Sequence, residues 1–255
     1  MSYKLTVAVA LCALAWGLTS PGCSTPPKEM SPAEFIDSNS TLIEDLKSYD
    51  AKERNRGVAT VKKLGKEQGT NLILYILTDP RLDDYRLEVV LARLLADWKD
   101  ARAVPYLLKT LNIPDDGAVR IASEGLIVFG DDPNVTEALT EKLASPVVRD
   151  RRIAAEILCE IRTQQSFELL GASLKGEKDP EVRAQMLVGI IQGRHAKRKE
   201  YLVDALSDPD QAMRELAWNA LRRYQDLPRV GYNPRGPAAE RNKAIEALHA
   251  WLKGR

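Results

Sequence analysis

Apolar residues recur along most of this chain at two distances. At short range they follow the spacing i, i+3, i+4, i+7, as at Leu87, Val90, Leu91 and Leu94, which is typical of amphipathic helices. At long range, the leucine that closes every second run returns after 34, 32, 31 and 32 residues. These leucines are Leu77, Leu111, Leu143, Leu174 and Leu206. A fixed period of roughly 20 to 50 residues indicates a stacked repeat protein, so the pattern predicts an all-α fold of repeated helical pairs.

Arginine residues repeat in step with these leucines. The series is Arg120, Arg151, Arg183 and Arg214, with intervals of 31, 32 and 31 residues. Asp179-Pro180 and Asp208-Pro209 precede two of them, and Asp before Pro suits a helix start. We interpret these arginines as structural register marks that bridge to an acidic or carbonyl group of the adjacent repeat, in preference to a catalytic role. The second repeat departs from the series, because Arg86 and Glu88 lie on either side of the expected position.

Capping and breaking residues set the limits of the repeats. Ser31, Pro32 and Glu34 form a helix-start pattern, which predicts one N-terminal capping helix over 32–49. The repeats are expected over 51–224, and residues 66–70 are expected to form the turn of the first repeat, with Gly69 as its breaker. Residues 225–255 are interpreted as a loop and a C-terminal capping helix that seal the last repeat; a binding role for the loop is the alternative.

Residues 1–22 have the form of a secretion signal. Lys4 precedes an apolar run from Leu5 to Leu18, which is short for a bilayer span. The run ends at Gly22-Cys23, before a small, Pro-rich stretch. This arrangement resembles a bacterial lipoprotein signal, which implies lipidation of Cys23 and a flexible linker over 23–31, although Ser20 stands where that family usually has Leu. An ordinary signal peptide cut nearby and a cytosolic start with an uncleaved apolar segment are the alternatives.

Two stretches carry a resemblance to a repeat family. The run Asp179-Pro180-Glu181-Val182-Arg183 has the form of a HEAT-repeat opening, and residues 100–111 have the form of its second helix. The chain is similar to HEAT-repeat proteins, especially the short bacterial form related to phycobilisome-lyase repeats. This resemblance implies a right-handed α-α superhelix, that is, a HEAT/armadillo-like solenoid, of about six helical pairs plus terminal capping helices.

The same resemblance implies where a partner would bind, because the second helices line the concave face of HEAT solenoids. Positions two and five residues before each closing leucine share one side of the helix and are not needed for the leucine stripe. We expect Tyr106, Lys109, Tyr201 and Asp204 to contribute to partner binding. A solvated face without a partner is the alternative.

Composition and charge narrow the chemistry. The net charge is +1, and removal of residues 1–22, which contain one charged residue, Lys4, leaves 36 basic against 36 acidic residues. A neutral chain lacks the electrostatic footprint of a nucleic-acid-binding protein. The sequence contains no phosphate-binding glycine loop, nucleophile elbow, or metal motif of paired His or Cys. His195 and His249 are far apart, and Cys159 lies in an apolar helical run, so we expect no catalytic, cofactor or metal site.

These patterns favour a non-enzymatic, lipid-anchored scaffold for protein–protein interaction on the extracytoplasmic side of a bacterial membrane, in the periplasm or cell envelope. An enzyme is the alternative, because relatives with such repeats act as bilin lyases and other HEAT-like folds act as DNA glycosylases. A purely structural role in a periplasmic assembly is the third reading. Fold resemblance alone does not decide among these functions.

Overall fold

The computed structural model describes residues 31–254, and every regular element of this part of the chain is a helix. The all-α, helical-repeat class predicted from the sequence is confirmed. The chain divides into two compact units at residues 125 and 126. Cys12 and Cys23 lie outside the described residues. Between residues 31 and 254, no helix combines the length and the apolar character needed to cross a lipid bilayer.

The first unit contains seven α-helices that pack mainly against their neighbours in sequence. They are α1 (Pro32–Ser38), α2 (Leu42–Lys47), α3 (Ala51–Lys63), α4 (Gly65–Thr78), α5 (Tyr85–Asp97), α6 (Val104–Thr110) and α7 (Asp116–Leu126), of which the last residue belongs to the second unit. Short 3₁₀ turns at Pro80–Leu82 and Ala101–Ala103 precede α5 and α6. Helix α2 packs on both α3 and α5, so it covers the apolar side of the first full repeat.

The second unit repeats the same arrangement of paired helices. They are α8 (Pro133–Leu143), α9 (Val148–Ile161), α10 (Gln164–Leu174), α11 (Pro180–Gln192), α12 (Arg198–Ala205), α13 (Gln211–Leu221) and α14 (Ala238–Lys253), preceded by a 3₁₀ turn at Ile127–Phe129. The first helices of successive pairs pack on one another, α9 on α11 and α11 on α13, while α10 and α12 pack between them. Each pair therefore buries its apolar face against the next.

The start of the first unit differs from the single capping helix expected over 32–49. The expected cap is present, because Glu34 N–H donates to Ser31 Oγ over 3.3 Å and Ser31 N–H donates to Glu34 Oε2 over 2.8 Å. The helix nevertheless ends at Ser38, and a second helix begins at Leu42. The side-chain amide of Asn39 donates to the Phe35 carbonyl over 2.9 Å. This local bond competes with helix continuation, as is usual for Asn.

The turn of the first repeat lies at Leu64 and Gly65. The prediction of a turn at residues 66–70 is therefore wrong. Gly65 has a φ of +77°, a backbone conformation that a side chain disfavours. Gly69 lies inside α4, where a Cβ atom would approach Trp98 Cη2 to 2.4 Å. Gly69 therefore permits the close packing of Trp98 on α4 and does not break the helix.

The closing leucines and the loop after α13 build the core of the second unit. Leu206 is fully buried with Tyr232 and Leu248 in one apolar cluster, and burial of one such leucine contributes roughly 1.5 to 3 kcal/mol. The Tyr232 hydroxyl donates to the Leu206 carbonyl over 2.6 Å, which satisfies its polar end inside the core. Residues 222–237 and α14 thus cover the apolar end of the last repeat.

Candidate interaction surface

Three arginines tie together the repeats of the second unit. Arg151, Arg183 and Arg214 are each the fourth residue of their helix, in α9, α11 and α13. Each Nη1 donates to the carbonyls six and five residues earlier; Arg214 does so to Asp208 over 2.7 Å and Pro209 over 2.8 Å. The guanidinium therefore fixes the segment that leads into its own helix.

The other edge of each guanidinium reaches the segment that packs next along the chain, which is a further repeat for Arg151 and Arg183 and the terminal loop for Arg214. Arg151 donates to both carboxylate oxygens of Glu177, over 2.7 and 2.9 Å, and Arg183 donates to Asp208 over 3.1 Å. Arg214, at the end of the series, donates to the Pro234 carbonyl over 2.9 Å. Burial would raise the pKa of Glu177, but the hydrogen bonds from Arg151 and from the Asp179 amide hold it below its usual range. In these three cases the arginine bridges to an acid or carbonyl, as its register position suggested.

Arg120 does not share this geometry. It is the fifth residue of α7, and buried Val119 occupies the fourth position. One residue is about 100° around a helix, so the Arg120 side chain points outward, is 70% exposed and pairs with Glu124 on the same helix over 3.2 Å. The expectation that Arg120 bridges repeats is therefore wrong.

Arg54 is a member of the series that the spacing search missed. It is the fourth residue of α3, and its Nη1 donates to the carbonyls of Ser48 over 3.0 Å and Tyr49 over 3.3 Å. The usable signal was the cap residue four positions earlier, because Asp50 precedes Arg54 as Asp179 precedes Arg183. The period alone hid Arg54, since the repeat between Arg54 and Arg120 has Glu88 at this position.

A groove of about 540 Å³ opens on the second unit beside α10, α12 and α14. Two of the predicted partner-binding residues, Tyr201 and Asp204, lie one turn apart on α12 and both line it. The Tyr201 ring packs closely on Gly171, where a Cβ atom would approach Cζ of the ring to 2.3 Å. Gly171 on α10 thus lets the two second helices come close and places Tyr201 at the groove wall.

An aromatic stack supports Tyr201 from behind. The His195 ring stacks on Phe167, with ring centroids 4.6 Å apart, and meets Tyr201 at 5.6 Å. Both ring nitrogens of His195 are buried. Burial, assisted by the positive charge of Arg198, lowers the pKa of His195. The imidazole is therefore part of the packing around Tyr201, in surroundings that favour its neutral form.

Asp204 connects three elements at the groove. Lys175, after α10, donates to one oxygen of its carboxylate over 2.8 Å, and His249 Nε2 of α14 lies 3.5 Å from the other. The hydrogen bond to Asp204 raises the pKa of Lys175, whose side chain is 63% exposed. Lys175 and His249 are contributors that the sequence did not reveal, because neither lies at a repeated position near Asp204. The groove therefore presents an aromatic wall beside a partly exposed ion pair.

The other predicted pair, Tyr106 and Lys109, belongs to α6 of the first unit. Lys109 Nζ contacts both carboxylate oxygens of Glu88 at 2.9 Å, and Tyr106 is half-buried. Glu88 occupies the fourth position of α5, where α3, α9, α11 and α13 carry arginine. The structure thus brings the four candidates together as two pairs, one in each unit, and gives Lys109 a structural contact within its repeat.

The described residues offer limited material for covalent or metal chemistry. Between residues 31 and 254 there is no group of three or more His, Cys, Asp or Glu side chains placed to hold a metal ion. Cys159 packs against Gly189, where a Cβ atom would lie 2.1 Å from its sulfur. Burial raises the pKa of the Cys159 thiol to about 12, with Glu160 and Glu156 adding to the effect. This cysteine has a packing role.

Several solved structures are similar to the chain at low identity. The complex of CpcE and CpcF of phycocyanin lyase from Nostoc sp. PCC7120 is 20% identical, with a TM-score of 0.40 over 80% of this chain and 81% of that chain. An engineered protein is 20% identical, with a TM-score of 0.42 over 75% of this chain and 59% of that chain. Human deoxyhypusine hydroxylase in complex with glycerol is 17% identical, with a TM-score of 0.30 over 86% of this chain and 99% of that chain. No protein-family model matches the chain, and no curated protein is significantly similar to it.

Proposed function

We propose that this chain is a protein-binding scaffold that takes its partner in the groove of the second unit. The observation that carries the proposal is the placement of Tyr201 beside the partly exposed Lys175–Asp204 pair. Tyr supplies contact area with little loss of side-chain freedom, and aromatic residues are enriched at protein interfaces. The groove thus combines an apolar contact with two charges of opposite sign.

The charges at the groove are available to a partner at low cost. An ion pair on the protein surface contributes about 0 to 1 kcal/mol to stability. Lys175 and Asp204 can therefore separate at little cost, and each can then pair with a group of opposite charge on the partner. Tyr201, by contrast, is held by Gly171 and the His195 stack. A fixed aromatic wall with exchangeable charges beside it favours a protein segment that carries both an apolar and a charged residue.

The proposal also places the chain on the outer side of a bacterial membrane, anchored through lipid on Cys23. Its support is the sequence alone: an apolar run that ends at Gly22-Cys23, followed by a short Pro-rich linker before the first helix at Pro32. Mass spectrometry of the mature N-terminus tests this part. Lipidated Cys23 is the expected result, with release of the Cys23→Ser variant into the soluble fraction; an unmodified internal Cys23 would refute it.

Site-specific crosslinking tests the groove. A photoreactive amino acid at Lys178, which lines the groove, is expected to capture a partner in membranes, whereas the same group at exposed Arg235 serves as the control. Asp204→Asn and Lys175→Gln should each reduce the adduct, and Arg235→Gln should leave it unchanged. If the photoreactive group gives the same adducts at Lys178 and at Arg235, and Asp204→Asn does not change them, the groove is not the partner-binding site.

One contact favours the enzymatic alternative predicted from the sequence. A carboxylate beside an imidazole, as in Asp204 and His249, is an arrangement used in general acid–base catalysis. A bilin-lyase-like activity stays a proposal for this chain. Its test is a bilin-transfer assay with the purified protein and its His249→Gln variant. Bilin transfer by the wild type that disappears in His249→Gln would support the enzyme. No bilin transfer by either protein, together with crosslinking of a partner in the groove, would support the scaffold.

A further inference from the structure

A second pocket, of about 210 Å³, lies within the first unit and is lined by arginines of three successive repeats. They are Arg54 of α3, Arg86 of α5 and Arg120 of α7. Lys47 adds a fourth cation to the lining, whereas Asp115 is the carboxylate among the lining residues. The pocket lining thus carries four positive charges and one negative charge. Three of the cations pair with acids outside the lining, Lys47 with Glu44, Arg86 with Asp84 and Arg120 with Glu124. Arg54 instead bonds to backbone carbonyls.

The donors of these guanidiniums are incompletely used. Among the described residues, Arg54 makes hydrogen bonds through Nη1 alone, to two backbone carbonyls. Arg86 Nε is buried without a hydrogen-bond partner, and its Nη2 reaches Asp84 only at 3.4 Å. Arg120 makes one 3.2 Å contact, to Glu124, from an exposed position. A buried donor without a partner destabilises the folded state, so binding of a hydrogen-bond acceptor that reaches Arg86 Nε is favourable.

Both oxygens of the one carboxylate among the lining residues, that of Asp115, already accept hydrogen bonds. Asp115 Oδ1 accepts the Ala118 amide over 3.0 Å at the start of α7, and its Oδ2 accepts the Tyr85 hydroxyl over 3.0 Å. The backbone bond from Ala118 comes first among the causes that lower the pKa of Asp115. Asp115 therefore acts as a helix cap and makes its hydrogen bonds to Ala118 and Tyr85, although the charge of Arg86 is near enough to help lower its pKa.

The second unit shows which group belongs at such a position. Before α11 and α13, the residue two positions ahead of the helix cap is acidic, and these residues, Glu177 and Asp208, accept the guanidiniums of Arg151 and Arg183. In the first unit the same position before α5 and α7 is Leu82 and Ile113, which supply no side-chain acceptor. Arg54 thus holds the position of Arg151 and Arg183 but lacks the acid that would satisfy it, whereas Arg86 and Arg120 reach the pocket from other helix positions.

We propose that this pocket binds a carboxylate side chain from an acidic segment of a partner protein, which takes the place that Glu177 and Asp208 hold in the second unit. A planar guanidinium matches a carboxylate with two parallel hydrogen bonds. Tyr49, 75% exposed, covers one face of the site, with the Arg86 guanidinium 4.6 Å from its ring centre. This inference stands whether or not the groove of the second unit binds a protein.

A labelled hexaglutamate peptide with blocked ends tests the proposal by fluorescence anisotropy at low salt, with hexaglutamine as its neutral match. Arg86→Gln and Arg120→Gln should each weaken hexaglutamate binding about tenfold, the effect expected from loss of one charge-assisted contact. Arg102→Gln is the matched control, because Arg102 is exposed, pairs with Asp100 and lies outside the pocket lining. Arg120→Lys should give an intermediate loss, since it keeps the charge without the planar fork.

Two further arms separate carboxylate from phosphate. Inorganic phosphate at the peptide concentration should displace little hexaglutamate, and vesicles of phosphatidylglycerol should retain the wild type and Arg120→Gln equally. Hexaglutamate that binds no better than hexaglutamine, or loses equal affinity in Arg102→Gln, would overturn the proposal. Efficient displacement by phosphate, or Arg120-dependent retention on vesicles, would overturn it in favour of a phosphate ligand. Because Arg120 is exposed, its variants keep the test valid even if Arg86→Gln fails to fold.

Discussion

Trp98 occupies the space that a side chain at Gly69 would need, with Cη2 only 2.4 Å from the position of a Cβ atom. Gly69→Ala should therefore destabilise the first unit by about 1 to 2 kcal/mol, because the overpacking cost exceeds the gain of about 1 kcal/mol in helix propensity. Urea unfolding followed by tryptophan fluorescence measures the change. Gly231→Ala is the control, since a Cβ atom there meets open space, and it should stay within about 0.5 kcal/mol of the wild type. An unchanged or stabilised Gly69→Ala variant would contradict this account of Trp98.

Arg151 should matter far more to stability than Arg120. Arg151→Ala leaves the Glu177 carboxylate, 2% exposed, without its bidentate partner and frees the Ser145 and Pro146 carbonyls. Breaking such a buried pair costs about 3 to 5 kcal/mol.

Arg120→Ala is the matched substitution at an exposed position of the same sequence series. It should change the free energy of unfolding by less than about 0.5 kcal/mol. Equal losses in the two variants, measured by urea denaturation, would show that the register position does not determine the role of the arginine.

The position within the helix explains how far the sequence could predict these arginines. The period locates Arg151, Arg183 and Arg214 because their helices begin at the same distance before them. It misassigns Arg120 by one residue, since the period does not fix where α7 begins. A one-residue error on a helix turns a buried bridge into an exposed side chain. The cap residue is therefore the better register mark, and it would have found Arg54.

The stability of the second unit should depend on the charge of His195. Burial lowers the pKa of His195 in the folded state, with Arg198 acting in the same direction and Glu168 opposing it. The unfolded state therefore binds more protons just below the ordinary His pKa of about 6.5, and the free energy of unfolding falls as pH decreases through that range.

His195→Phe keeps an aromatic ring on Phe167 and removes the titration. The difference between wild type and His195→Phe in the free energy of unfolding should change between neutral pH and about pH 5, with the wild type losing more. Parallel urea denaturation series give this difference. A difference that is constant with pH would contradict a buried, neutral imidazole.

Cys159 should react slowly with thiol reagents in the folded protein. Its pKa of about 12 leaves almost no thiolate at pH 8, and its sulfur packs against Gly189. Alkylation followed by peptide mass spectrometry should label Cys159 more than about a hundredfold faster in urea than in buffer, because the thiolate is the reactive form. The peptide map separates Cys159 from Cys12 and Cys23. Rapid labelling without denaturant would show that the packing on Gly189 opens readily.

The groove was predictable from the sequence only along one helix. Tyr201 and Asp204 follow from the repeat, because they hold fixed positions before Leu206 on α12. His249 lies 3.5 Å from Asp204, but it belongs to α14, which follows a loop that has no counterpart in the other repeats. The same holds for Gly69. A glycine at this position suggested a turn, because its neighbour in the fold, Trp98, lies far along the chain and could not be inferred from the local sequence. Local pattern places a residue on its helix, whereas these partners come from packing between helices.

The hydrogen bond from Tyr232 to the Leu206 carbonyl has a consequence for protein engineering. Residues 222–237 and α14 occupy the place where the next pair would stack in the second unit. A repeat module fused after Gly254 should therefore fold as an independent body with its own melting transition. To lengthen the array, new modules would have to be inserted before Glu177, ahead of α11, so that α12, α13 and the segment that covers them stay together at the terminus.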